Sequence, residues 1–180
     1  VNTRRFISAS FITDRLVAEW NGNAKHRSGG RGDIKGFYDI IKPACETAEV
    51  ELVFAEYNTK RLAPNEMPTF FQSANVALCA SLYEGASNST MESMSAGLAL
   101  IATDVGNHRE MHEAQMKDFG DSGIILVDRD PGAFVHALKE LKKDIPRIKQ
   151  MGQLNRQEIQ KRWSWDVLKA GYEAFLLKAL

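Results

Sequence analysis

The stretch NVALCASLYEGASNSTMESMSAGLALIATD (75–104) decides how this chain folds. Its first seven residues are short, apolar and free of glycine and proline, which is how a buried strand reads. Gly85 and the small run Ala86-Ser87-Asn88-Ser89 then force a turn that feeds a helix starting near Ser87 or Asn88 and stopping at Gly97. LALIATD (98–104) is a second buried strand. Strand, turn, helix and strand in succession read as one unit of a parallel sheet.

The same alternation extends outward. RLVAEWN (15–21), VELVFAE (50–56) and SGIILVD (122–128) read as strands. Helical spacing marks 35–48, with apolar residues at 37, 40, 41, 44, 45 and 48 and Pro43 as an expected kink. Segment 65–74 is expected to start from an Asn65 cap with Pro68 in its first turn. Asp130-Pro131 opens another helix, followed by helices over 145–163 and 164–180, the last capped by Ser164. Strands that read as continuous apolar runs between helices predict an α/β fold, a Rossmann-like parallel sheet sandwiched by helices. Ligands in such sheets bind beyond the carboxyl ends of the strands, which places chemistry after residues 21, 56, 81 and 104.

Composition narrows the function. The 180 residues suit one domain, with 44% hydrophobic and 26% charged residues. Lys+Arg and Asp+Glu both total 23, so the electrostatic footprint of a nucleic-acid binder is missing. No apolar run is long enough to cross a bilayer and the N-terminus does not read as a signal peptide, so a cytoplasmic chain is expected. Lys139, Lys142, Lys143, Arg147 and Lys149 form a basic helical face, and peripheral contact with an anionic membrane is its second reading after plain solvation. Cys45 and Cys79 read as small buried hydrophobes in a reducing compartment.

Glu84 and Glu92 stand eight positions apart around the small-residue turn. A helix starting between them aims its first amides at the crevice and favours an anion by roughly 0.3–1 kcal/mol. Glu92, one turn in, is placed to accept two ribose hydroxyls, and Glu84, at the strand end, to accept sugar hydroxyls. The plainer reading is a capped connection with two solvated acids. The loop after the first strand carries Lys25, His26, Arg27, Arg31 and Lys35 among four glycines, and it fits neither the P-loop nor the dinucleotide fingerprint. Lys35, at the start of the next helix, is its best anion-binding candidate. His108 and His112 lack the adjacent Glu of a zinc protease motif and read as an exposed helix face capped by Asn107.

With these residues in place, SLYEGASNSTMESMSAGLALIATDVGNHREM (81–111) resembles the donor-binding signature of retaining glycosyltransferases of family 4, the large group 1 family. Glu84, Glu92, Gly97, Asp104-Val105-Gly106 and Glu110 carry the likeness, and flanking segments extend it over nearly the whole chain. The resemblance implies one half of a two-domain GT-B fold: residues 1–180 as the nucleotide-sugar-binding domain, residues 1–14 entering from the other domain, and 164–180 as the terminal helix. The N-terminal, acceptor-binding half lies outside the sequence. By the same resemblance Glu84 and Lys35 carry catalysis, and Gly22, Asn23, Arg61, Leu62, Gly85, Ala86, Ser87, Asn88, Ser89 and Glu92 bind the donor, the base lying near 57–62. The implied reaction transfers a sugar from a nucleoside-diphosphate sugar, with retention, to a glycan, lipid or polysaccharide acceptor, and needs no metal or other cofactor. Departures from the pattern are Asn23 where the family often has Arg, Gly85-Ala86-Ser87 in place of Gly-Phe-Gly, Ala99 in place of Pro, and a long 21–34 loop. Arg27 or Arg31 would then supply the missing cation. A nucleotide-sugar epimerase, a sugar phosphorylase or a non-catalytic scaffold are the alternatives.

Overall fold

The computed structural model describes residues 1–6, 14–24 and 33–179. The strands are β1 (Val17–Gly22), β2 (Glu51–Glu56), β3 (Val76–Cys79), β4 (Ala99–Thr103) and β5 (Ile124–Val127). All are parallel, in the order β2-β1-β3-β4-β5. The chain therefore leaves β1 toward one edge of the sheet and returns on the other side at β3. The order reverses between these two neighbours, and such a reversal opens a crevice beyond their carboxyl ends.

Seven α-helices are present among the described residues: α1 (Lys42–Ala48), α2 (Met67–Gln72), α3 (Asn88–Ser95), α4 (His108–Phe119), α5 (Pro131–Lys142), α6 (Ile145–Glu158) and the largely exposed α7 (Trp165–Ala179). Side chains alternate between faces along each strand. Ala18, Trp20, Val76, Leu78 and Ile101 point to one core with Ile41, Phe134 and Leu138, while Val17, Ala77, Cys79 and Leu100 point to a second core with Phe71, Met91, Met94 and Met111. Both cysteines are buried, and desolvation pushes the Cys45 thiol up to about 12, so it is inert at neutral pH.

Asp130 caps α5 by accepting the Ala133 N–H at 2.9 Å, and the Ser164 hydroxyl accepts the Val167 N–H at 3.3 Å. The segment 35–48 is helical but begins with a π-turn over Phe37–Ile41 that runs into α1, with Pro43 at the junction. A wider i→i+5 turn ahead of a proline, which has no N–H to donate, is a common way to pass the irregularity. The last turn of the 145–163 helix is likewise a π-turn, Ile159–Trp163. Asn65 does not cap α2. The helix starts later, at Met67, and the Glu66 carboxylate turns back to accept the Ala63 N–H at 2.6 Å.

The basic helical face is largely engaged within the protein. Lys142 donates to the Ala48 and Glu49 carbonyls at the end of α1, Lys143 pairs with Glu140, and Arg147 pairs with Asp121. A cation on a helix C-terminus answers its partial negative charge. Among the described residues no helix is long and apolar enough to cross a membrane.

Candidate functional site

The turn after β3 is built by two close approaches. Leu82 N–H donates to Ile34 O at 2.8 Å, which pins the strand end to the segment leading into the π-turn. Gly36, at φ +68, lies so close to Ala80 that a Cβ there would stand 2.5 Å from its carbonyl oxygen. Lys35, one residue earlier, is thereby delivered to the end of β3, and its Nζ lies 2.5 Å from Glu84 Oε1. Ser81 Oγ donates to the same oxygen at 2.7 Å. Both bonds fall on Oε1, and Oε2 makes none among the described residues. Arg129, at the end of β5, holds the turn from behind by donating to the carbonyls of Ala80 and Asp33. The Asp33 carboxylate accepts the N–H groups of Gly36 and Tyr38 at 2.9 and 2.7 Å.

Gly85 and Ala86 are exposed, and a Cβ at Gly85 would meet nothing within 4 Å. The protein's own packing does not require a small residue there. α3 starts at Asn88 with Ser87 as its N-cap in extended conformation. The Ser87 N–H points to Asn107 Oδ1 at 3.5 Å, and the Ser87 and Ser89 hydroxyls lie 3.2 Å apart. Asn88 is exposed and Ser89 half-buried, so the first-turn amides, which a helix leaves without internal acceptors, border open space. Glu92, in the next turn, is half-buried. Burial raises its carboxyl pKa, opposed by Arg5 and the amino group of Val1.

Gly106 closes the opposite wall. It sits at φ +60, and a Cβ there would lie 2.2 Å from Gly85 O and 3.0 Å from Glu84 Cβ. Gly106→Ala adds that collision to a left-handed strain of about 1–2 kcal/mol. Thermal unfolding should show a loss of at least that size, with the Gly85 loop displaced.

At the ends of β1 and β2, Gly22, Asn23, Arg61 and Leu62 line a single cavity of about 320 Å³ together with Glu56 and Tyr57. The Arg61 guanidinium stacks over the exposed Tyr57 ring, 4.5 Å from its centroid. Glu56 is buried and organises the 56–60 turn. It accepts from Thr59 Oγ1 at 2.7 Å and from the Asn58 N–H at 3.1 Å, bonds that hold its carboxyl below the usual range. Asn58 Nδ2 passes on to Asn23 Oδ1 at 2.9 Å, joining the two strand ends.

The structure thus gathers the sequence-derived residues into two neighbouring groups on adjacent strands: Lys35, Glu84 and 85–89 beside the α3 start, and Gly22, Asn23, Arg61 and Leu62 around the cavity. Lys25, His26, Arg27 and Arg31 lie outside the described residues. The histidines are not an exposed face. His108 is fully buried, with Nδ1 2.9 Å from Thr103 O and Nε2 3.2 Å from Thr90 Oγ1. A carbonyl only accepts, so Nδ1 carries the proton, and burial lowers the pKa and keeps the ring neutral. His112 Nδ1 lies 3.0 Å from Ser122 Oγ. The histidines therefore bolt α4 and α3 to the sheet. No three His, Cys, Asp or Glu side chains among the described residues are grouped to hold a metal ion. Sequence reading missed Glu19, Ser81 and Arg129; Asn107 stands at the N-cap position of α4 as expected, but its side chain makes no capping bond and faces the Ser87 N–H instead. A glutamate inside the apolar run 15–21 was a usable signal for Glu19, whereas Arg129 carried none.

A parallel sheet with a switch-point crevice, flanked by a helix start and a lysine–glutamate pair, defines a Rossmann-like α/β domain. The family model for glycosyl transferases group 1 matches residues 39–144, and the chain belongs to that family. The fold is that of the C-terminal domain of GT-B glycosyltransferases. Sucrose-phosphate synthase from Thermosynechococcus elongatus superposes with a TM-score of 0.68 at 16% identity, over 99% of this chain and 51% of that one. The C-terminal domain of a glycosyl transferase group 1 family protein from Francisella tularensis gives 0.65 at 15% identity, over 92% and 99%. The pneumococcal O-GlcNAc transferase GtfA, solved with UDP and GlcNAc, gives 0.67 at 16% identity, over 93% and 36%. The chain therefore spans about half the length of the first of these structures. No curated protein sequence is significantly similar to the chain.

Proposed function

We propose that this chain is the donor-binding half of a glycosyltransferase that moves a sugar from a nucleoside diphosphate to an acceptor hydroxyl with retention of configuration. The observation that carries this reading is the Lys35–Glu84 pair beside the open start of α3. Glu84 occupies one of the three ammonium protons of Lys35 and aims the others across the crevice, toward the oxygens of a departing diphosphate. The first-turn amides at Asn88 and Ser89 share that charge, and such preorganised donors stabilise a leaving group as its charge develops. Glu84 Oε2 remains to accept a hydroxyl of the transferred sugar. Glu92 takes the ribose. The cavity bounded by Gly22, Asn23, Arg61 and Leu62 takes the base, with the Arg61–Tyr57 stack as its platform. No step requires a metal: lysine and amides supply the positive charge. The acceptor, a glycan, lipid or polysaccharide, is held chiefly by a further domain of the whole enzyme, which acts at the cytoplasmic side, in solution or against a membrane.

Calorimetry with UDP, GDP and ADP tests the reading. One of the three should bind. Lys35→Ala and Glu92→Ala should each weaken it by about 1.5–3 kcal/mol, the worth of a hydrogen bond to a charged group. Absence of binding by all three nucleotides would overturn the assignment.

A further inference from the structure

Glu19 stands in the middle of β1 with its side chain on the face of the sheet that α3 covers, and it is 1% exposed. Its neighbours on that face are Val17, Ala77, Cys79 and Leu100. A carboxyl group in such a place needs partners. Its Oε1 lies 2.5 Å from Ser93 Oγ, and its Oε2 accepts from Asn21 Nδ2 at 3.1 Å. Ser93 Oγ also lies 2.8 Å from Ser89 O, one turn earlier in α3. A hydroxyl has a single proton to give. When Glu19 is ionised, that proton goes to Oε1 and Ser89 O is left without it. When Glu19 is protonated, it donates to Ser93 Oγ, and Ser93 donates to Ser89 O. The relay is complete only in the second state.

Ser89 belongs to the turn whose amides border the crevice, roughly 6 Å along the helix axis from Ser93. We propose that Glu19 is a positioning residue for that turn: through Ser93 its carboxyl group sets the first turn of α3 against β1, and the turn takes a diphosphate better when Glu19 holds its proton. This rests on the donor-site reading above.

The surroundings favour the protonated form. Desolvation raises the pKa to about 7; the bonds from Ser93 and Asn21 oppose it, and the Glu92 carboxylate on α3 adds to it. Beyond Glu92, Arg5 and the amino group of Val1 act on Glu92. On the other sides of α3, Glu158 is tied to Arg162 and Trp163, and neutral His108 to Thr103 and Thr90. A bound diphosphate brings negative charge, which favours neutral Glu19, and coupling of this kind is reciprocal.

The experiment follows the backbone amide resonances of Ser89 and Ser93 in the isotope-labelled chain from about pH 5.5 to 8.5, with and without UDP, GDP or ADP, while calorimetry measures affinity over the same range. Wild type should show a transition near neutrality that Glu19→Gln abolishes, and Ser93→Ala should remove it from Ser89. Glutamine mimics the protonated acid. The variant should therefore match wild-type affinity at the acid end and bind about fivefold or more tightly than wild type at the alkaline end. Comparing the two proteins cancels ionisation of the nucleotide itself. Amides that do not titrate, or that still titrate in Glu19→Gln, overturn the proposal. So do equal affinities of the two proteins at every pH. A transition that behaves as expected while no nucleotide binds supports the relay and overturns the donor-site reading.

Discussion

Gly152→Ala should lose about 3 kcal/mol of stability, near the top of the usual range for forcing extra volume into a packed site, and its thermal midpoint should fall by roughly 6–12 °C. Gly152 lies inside α6, where helix propensity alone would reward alanine by about 1 kcal/mol. Packing reverses the sign. A Cβ at that position would stand 1.9 Å from Gly97 O and 2.8 Å from Gly97 C, both backbone atoms at the corner between α3 and β4. No rotamer change relieves a collision with backbone. α6 must retreat, and Asn155 retreats with it. Asn155 Nδ2 satisfies the carbonyls of Leu98 and Gly123 at 2.8 Å each, at the starts of β4 and β5. Buried carbonyls left unpaired add to the loss. Thermal unfolding followed by circular dichroism decides the matter: a variant as stable as wild type, or more so, would mean that α6 does not approach this corner as described.

Glu19→Gln should have the opposite effect, and only above acid pH. In the unfolded chain this carboxyl has a pKa near 4.5, and in the fold desolvation raises it to about 7. Between those values the folded protein keeps a proton that the unfolded chain releases, so stability falls as pH rises. Below about 4.5 the acid is neutral in both states and the glutamine variant should match wild type. Above about 7 the ionised carboxylate is buried in full, and the variant should be more stable by roughly 3 kcal/mol. Denaturant titrations at several pH values measure the difference directly. A constant difference across pH would show that the fold leaves the Glu19 carboxyl with the same pKa as in the unfolded chain. Paired with the amide experiment, the result separates two roles of one carboxyl group: its burden on the sheet and its hold on α3.

That burden suits a functional position better than a structural one. An aliphatic residue would fill the site in β1 without the pH-dependent loss, as Val17 does two residues earlier on the same face. Polar groups kept in a core at a cost to stability are expected near sites where geometry matters more than stability.

The strand–turn–helix–strand unit at 75–104 was legible because its signals are local. Apolar runs, a break at Gly85, a helix start near Ser87 or Asn88 and a stop near Gly97 follow from residue type and spacing, and the structure places β3, α3 and β4 accordingly. Asp130 with Pro131 set the start of α5 for the same reason. The proximity of Lys35 to Glu84 could be expected only through resemblance, since 49 residues separate them. What brings them together is the return of the chain to the neighbour of β1, which strand patterns do not specify. His108 shows the converse failure. Residue type and a capping pattern suggested a solvated helix face, but the face that α4 turns inward depends on where the sheet lies, and there Thr103 and Thr90 supply partners that a histidine needs when buried. Asn65 lost its capping role to a similar contingency, because the Glu66 carboxylate reached back to Ala63.

The sequence by itself determined the alternation of elements, the α/β class and the small-residue turn flanked by two acids, because each depends on neighbours within a few residues. Only the tertiary structure decided that Glu84 faces Lys35, that Gly106 and Gly152 tolerate no Cβ, and that a glutamate in β1 ends against Ser93. Those are contacts between segments far apart in the chain, and their energies depend on distances and burial that no local pattern encodes.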